Sequence, residues 1–338
     1  MTSIKCWWIQ CASACAVLLT GCVGVTPSSE HGPTLQQQCA KVDSNDVITA
    51  QGNVVCEAVA LGGESNKSTA RALGAGSQAR AVAGSLHLFD NGNQDSYLAS
   101  DNNTSLALAT RGAGALARSG VNKNGKKGVG GNTAVARAER PDAFADASAA
   151  NGNNNTATSI AEGCIGASGK ACAFSAAGNG DHNIATALSN GETSKAQSGA
   201  LDGNHNKAVS VGRDGGRAIS NAQGGDNNTA DSTATGDSAF ASAQATGSNS
   251  FSLSRADGSK STANSTAQQG GAARALAEAG ATATANANGS GFSAIAVASG
   301  EGTSATATHD PDTDTGSCSG PGVAFAMTGG SFHCIQGF

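Results

Sequence analysis

The chain is short of almost everything that fills a conventional protein core. Its 338 residues include nine Phe, two Trp, one Tyr and two Met. Val, Ile, Leu and Phe are scarce together, and each Ala methyl buries little area. That excludes a thick globular core and leaves a thin repetitive structure or disorder. Charge is also sparse, at 13% of residues with a net charge of −5. Self-repulsion is therefore not what would hold the chain open, and no basic excess marks a nucleic-acid partner. No Cys-x-x-Cys occurs and the six His are scattered, which weakens a zinc reading. No Gly-x-Ser-x-Gly elbow is present either.

What is present begins with a targeting pattern. Lys5 precedes an apolar stretch from Trp7 to Leu19, too short for a permanent membrane span. It ends in Leu19-Thr20-Gly21-Cys22, which resembles a bacterial lipobox. That resemblance implies a signal peptide over residues 1–21 and lipidation of Cys22. The expectation is an exported chain anchored to the outer face of the cell membrane or envelope, not spanning it. Ordinary secretion with a nearby cut is the alternative. Export also fits the six cysteines after Cys22, an even number in an oxidising compartment. Local spacing favours the pairs Cys39–Cys56, Cys164–Cys172 and Cys318–Cys334.

The main body carries an 11-residue beat. Gly225, Gly236, Gly247, Gly258, Gly280, Gly291 and Gly302 lie at multiples of 11, and the empty slot holds Gln269 beside Gly270. A short fixed period signals a stacked solenoid. Counting from each glycine, positions 3, 5 and 7 are almost always Ala or Ser, as in Ala239, Ala241 and Ala243, or Ser250, Ser252 and Ser254. A period of two means strands with a uniformly small inward column. Looser units open with Gly152-Asn153-Asn154-Asn155, Gly180-Asp181-His182-Asn183, Gly203-Asn204-His205-Asn206 and Gly225-Asp226-Asn227-Asn228. Gly, Asn and Asp tolerate positive φ, so these are natural corners. The spacing predicts an all-β solenoid, a thin parallel β-roll of 11–12-residue units. Each coil holds two strands and about 22 residues. At about 4.8 Å per coil, some 250 residues give a rod of roughly 50–60 Å.

The outward positions divide into two kinds. Alternate units carry Phe251/Leu253, Arg274/Leu276 and Ile295/Val297, a bulky apolar stripe and a candidate interface with another copy or a partner. The units between carry Thr262/Asn264, Thr284/Asn286 and Thr306/Thr308, a candidate polar binding face. The expected organisation has a tether and the start of an N-terminal cap over 22–44, with Pro27, Pro33 and a Gln run. Repeats follow over 45–308, with a basic loop near 119–140, and a C-terminal cap spans 309–338.

Two resemblances follow. Gly236-Asp237-Ser238-Ala239-Phe240-Ala241 and Gly247-Ser248-Asn249-Ser250-Phe251-Ser252 resemble the head repeats of trimeric autotransporter adhesins. That implies a left-handed β-roll binding host matrix or other cells. The period here is 11 and no stalk or barrel anchor follows. The end cysteines, with Gly320-Pro321-Gly322-Val323-Ala324-Phe325-Ala326 between the last two, resemble uncharacterised Ala/Gly-rich exported proteins of mycobacteria and relatives. That resemblance implies no activity.

Sites for chemistry are weak. Gly120-Val121-Asn122-Lys123-Asn124-Gly125-Lys126 lacks the Ser or Thr of a phosphate loop, since Lys127 follows. Asp310, Asp312 and Asp314 alternate as calcium ligands would, but the glycine falls one place late and no Glu follows at the right distance. Calcium is the one cofactor this pattern admits. The Thr-x-Asn and Thr-x-Thr ladder resembles ice-binding arrays. The expectation is a structural or adhesive protein without catalysis, with ice or glycan binding as the alternative.

Overall fold

The structure is a computed structural model. It describes residues 194–337 without a break. Before them it describes 26–28, 32–34, 36–41, 46–50, 55–60, 65–73, 78–84, 101–110, 113–120, 130–139, 143–149, 152–162 and 172–191. Among the described residues every regular element is a strand. Apart from a small antiparallel pair, Thr26–Ser28 with Gly32–Thr34, the strands form two sheets of thirteen. The chain alternates between them. Thr229–Thr235, Phe251–Asp257, Ala272–Glu278 and Ser293–Ser299 lie in sheet 1; Phe240–Thr246, Thr262–Gln268, Thr282–Asn288 and Ser304–Asp310 lie in sheet 2. Neighbours within each sheet are parallel until the ends. This is the two-strand coil that the 11-residue beat predicts.

The space between the sheets is as narrow as the small inward column implies. Ala241, Ala243, Ala263, Ala283, Ala285 and Ala296 are all essentially inaccessible. Among the described residues the largest fully buried side chains are Val82, Thr303, Thr328 and seven asparagines, so no Leu or Phe enters the interior. Several serines bond there: Ser252 Oγ donates to Ser265 Oγ at 2.8 Å, which donates to the Ala273 carbonyl at 2.7 Å, whereas the buried Ser198 and Ser210 hydroxyls have no partner. With such shallow burial per residue, the backbone ladders carry much of the order.

Corner length sets the register. Most corners in this half take four residues, such as Gly247-Ser248-Asn249-Ser250, with Gly247 and Asn249 at φ 88° and 59°. Two corners take three, Gln269-Gly270-Gly271 and Ala279-Gly280-Ala281, with paired left-handed residues (φ 49° and 84°; 52° and 80°). Two successive positive φ values match the geometry of a type I′ turn. Each short corner drops a residue and carries its glycine second, at Gly270 and Gly280, so the slot at Gln269 holds no glycine. It also shifts the outer columns. Thr262 pairs with Thr282, not Thr284, and Leu253 pairs with Arg274.

Both ends reverse strand direction. At the start, Gln36–Lys41 pairs antiparallel with Lys67–Leu73 and Asp46–Ala50 with Val55–Ala60. The closing layer thus runs to Ala50, past the expected boundary at 44. The basic segment also shrinks: Thr133–Ala138 is a sheet 1 strand because Gly131-Asn132-Thr133-Ala134 repeats the corner, so Arg137 stands on a strand. The lysines of that segment, within 121–129, lie outside the described residues.

The C-terminal end is a plug. Thr313–Ser319 closes sheet 2, and Val323–Thr328 followed by Ser331–Gln336 closes sheet 1. The Cys318–Cys334 disulfide joins the two final strands against the alanine core, with Cα atoms 5.9 Å apart. Beside it Asp314 Oδ1 accepts a hydrogen bond from Thr328 Oγ1 and lies 2.9 Å from His333 Nε2. Gly316 is required here, since a Cβ would sit 2.7 Å from His333 Cβ and 2.8 Å from Ala326 Cβ. The side chains of Cys39, Cys56, Cys164 and Cys172 lie outside the described residues, as do residues 1–25 with Cys22.

The plug predicts a pH dependence. The Thr328 hydroxyl, then His333, hold the Asp314 carboxyl below its ordinary range. A carboxylate depressed by folding stabilises above its unfolded pKa, and that contribution fades as pH falls through the folded value. Acid melts below the ordinary carboxylate range should therefore loosen the C-terminal end first. Asp314→Asn should flatten that acid limb in a pH series of thermal melts.

Candidate functional site

Three surfaces follow from this geometry: two flat faces and one corner edge. On the corner edge each residue of the Gly-x-x-Asn unit has its own task. Gly152, Gly180 and Gly203 stack so closely that a Cβ on each would meet the next glycine's carbonyl oxygen at 1.8, 1.8 and 2.0 Å. The second residue holds the preceding coil: the Asn153 amide donates to Asp181 Oδ1, Asp181 to Asn204 Oδ1, and Asn204 to Asp226 Oδ1, all within 2.8 Å. The third residue takes the left-handed turn, as in Asn154, His182, His205 and Asn227. The His182 and His205 rings stack at 5.0 Å. The fourth residue is a fully buried asparagine.

These asparagines form a ladder through the rod. Asn66, Asn103, Asn132, Asn155, Asn183, Asn206 and Asn228 each accept, through Oδ1, the backbone N–H of the next coil, at 2.9–3.2 Å; Ser250 takes the last at 3.0 Å. Their amide groups donate to corner carbonyls, Asn183 to Gly203 and Asn206 to Gly225. Reading the motif for positive φ alone found the corners but missed this ladder. The signal was there: Asn recurs at the fourth place as faithfully as Gly at the first.

Over its last five strands the outer face of sheet 2 carries uncharged polar groups in its two central columns; earlier strands place Asp146, Lys195 and Arg217 outward, and Phe240 stands outward beside the central columns. In register, its central columns run Ser242–Asn264–Thr284–Thr306–Ser317 and Gln244–Thr266–Asn286–Thr308–Thr315. All six candidate residues of the polar face stand outward here, with Thr262 in a neighbouring column that runs Phe240–Thr262–Thr282–Ser304. Strand spacing of about 4.8 Å separates groups within a column, and about 6.7 Å separates columns.

The outer face of sheet 1 is different. Leu253, Leu276, Ile295 and Val297 face outward in columns Leu253–Arg274–Ile295–Met327–Phe332 and Arg255–Leu276–Val297–Phe325–Ile335, and Phe251 faces outward in the column beside them, between Thr229 and Ala272. Arg274 lies over the Phe251 ring at 5.4 Å. By sequence position Phe325, Met327, Phe332 and Ile335 belong to the cap, residues 309–338. The antiparallel hairpin instead carries them onto this face, where Phe332 and Ile335 are 63% and 58% exposed. With Ile295 they line an apolar groove of about 370 Å³. Further along the two columns are mixed, Leu106–Val135–Thr158–Thr186–Val209 and Leu108–Arg137–Ile160–Leu188–Val211, with threonines and Arg137 among the apolar residues. Asp231 interrupts it between Val209 and Leu253, and burial raises its pKa against the lowering pull of Lys207.

The three aspartates of the C-terminal turn are not brought together. Asp310 Oδ1 accepts the Asp312 N–H at 3.0 Å, whereas Asp314 turns to Thr328 and His333. No group of three or more His, Cys, Asp or Glu positioned for a metal occurs among the described residues.

No protein-family model matches this chain, and neither curated proteins nor solved structures give a match.

Proposed function

We propose that this chain is an exported, lipid-anchored rod of the bacterial cell envelope, with a structural or adhesive surface role. The observation that carries the reading is where the chain keeps its chemical variety. The interior repeats Ala, Ser and buried Asn, and among the described residues no Leu, Ile, Phe, Met, Lys or Arg side chain is buried in it. Such a molecule presents surface over a long distance at low sequence complexity. The Leu19-Thr20-Gly21-Cys22 motif supports anchorage at the N-terminal end. The test is expression of the full chain in a bacterium with an alkyne-tagged fatty acid. Label at the membrane, lost in Cys22→Ala, supports the anchor; unlabelled chain in the medium overturns it.

The uncharged columns of sheet 2 favour a second reading, binding of ice or a neutral glycan. Hydroxyls and amides at fixed spacing on a flat face match a periodic ligand better than an isolated solute. Thr284 and Thr306 are adjacent in one column, so a bulky group there lifts a flat ligand off the array. Thr284→Tyr with Thr306→Tyr should abolish retention on insoluble neutral polysaccharide and any shaping of ice. Retention unchanged by both substitutions would remove this face from consideration.

A further inference from the structure

We infer that sheet 1 is a self-association surface: two copies pack through it as a parallel two-fold dimer, their rods pointing the same way. The inference concerns the face itself and does not depend on lipid anchorage.

Size is the first argument. The face runs over eleven strands, from Thr104–Thr110 to Ser331–Gln336, with up to four outward positions on each. At about 4.8 Å per strand and about 6.7 Å per outward position it covers roughly 900 Å². A stable dimer buries about 800 Å² per partner. The apolar groove at the C-terminal end is only part of that area, so contact along the length is what reaches it.

Orientation follows from the registers. A two-fold axis along the rod sets every strand opposite itself with its direction reversed. The two central columns then exchange places: Ile295 meets Val297 of the second copy, Met327 meets Phe325, and Phe332 meets Ile335. The exposed C-terminal hydrophobics are covered by their own equivalents. Charges can be balanced as well. This operation places Glu278 of the second copy opposite Ala272, beside Arg274, while Arg255 of the second copy, opposite Leu253 and one strand from Arg274, keeps Asp257 of its own strand at 3.8 Å.

The antiparallel alternative fails on particular residues. With full overlap of the eleven strands, its axis passes through Thr229–Thr235, the sixth strand from either end. It would set the half-buried Asp231 carboxylates of the two copies against each other, and Arg137 against Phe325. Like charges facing each other in a partly dry interface are costly. In the parallel dimer Asp231 faces Thr233 of the second copy instead.

The test is cross-linking of full-length chains in cells. Two differently tagged copies are co-expressed, one with Ile295→Cys and one with Val297→Cys, and treated with a short bismaleimide. Both positions point outward, and resistance of Cys318 and Cys334 to alkylation in the same sample reports a folded rod. The expected result is a mixed covalent dimer in nearly the full share that random pairing of the two copies allows. Thr284→Cys copies, on the opposite face, should give none. The pair Ile295→Cys with Thr158→Cys would be adjacent only in the antiparallel packing and should also give none. Three results would overturn the inference: no self-adduct from the first pair, equal adduct from Thr284→Cys, or an Ile295–Thr158 adduct.

Discussion

Asn206→Ala is expected to lower the unfolding free energy by about 2–4 kcal/mol, one of the two largest effects among these substitutions. The change removes little volume, so a packing argument would put the cost lower. The ladder argument counts groups instead. Asn206 Oδ1 accepts the backbone N–H of Asn228 at 2.9 Å, and its amide donates to the Gly225 carbonyl at 2.8 Å. Both contacts lie in the wall of the rod, where water does not replace them readily. Leaving a buried donor or acceptor unpaired costs about 1–3 kcal/mol each. Asn206→Asp should be worse, because the carboxylate cannot donate and its charge would be buried. By comparison Asn227→Ala, on the exposed third position, should cost less. Its side chain makes only a long 3.5 Å contact to Asn249, and its main expense is the left-handed backbone at φ 60°. Chemical denaturation of the three variants checks the order.

The second large effect is expected at the C-terminal plug. Replacing Cys318 and Cys334 by Ala should cost about 3 kcal/mol, from the entropy regained by opening a loop of this length. The disulfide closes 16 residues of separation and ties the last strand of one sheet to the last strand of the other. Solenoid coils are stabilised mainly by their neighbours, so loosening the final layer exposes the next. The reduced rod should therefore fray from Val323–Thr328 inward. Partial proteolysis with and without reductant checks this: cleavage should begin between Thr313 and Gln336 in the reduced protein and be suppressed in the oxidised one.

Much of the architecture was legible in the sequence because the rod is built by repetition. The inward Ala/Ser column, the two-strand coil and the Cys318–Cys334 closure all follow from spacing. Three things did not follow, each for a physical reason. The registers of the faces depend on whether a corner takes three residues or four. A fixed period of 11 hides the lost residues at Gln269-Gly270-Gly271 and Ala279-Gly280-Ala281, so Thr262 was set beside Thr284 instead of Thr282. The buried asparagines pass for ordinary corner residues in the sequence, because conformational tolerance explains Asn154 and Asn227 but says nothing of Asn155 and Asn228 one place later. The apolar face was read too short, since its last two strands, Val323–Thr328 and Ser331–Gln336, run outside the repeat and join antiparallel.

The central claim is a stacked two-sheet rod whose corners are bonded as firmly as its strands. Amide hydrogen exchange of the oxidised chain, resolved by peptide mass spectrometry, tests it most directly. The account predicts slow exchange not only in strands such as Thr229–Thr235 and Phe251–Asp257 but also at the corner amides of Asn183, Asn206 and Asn228. Their partners are side chains of the preceding coil. Corner amides exchanging at the rate of solvated loops between protected strands would contradict the ladder. Fast exchange throughout residues 194–337 would contradict the rod itself.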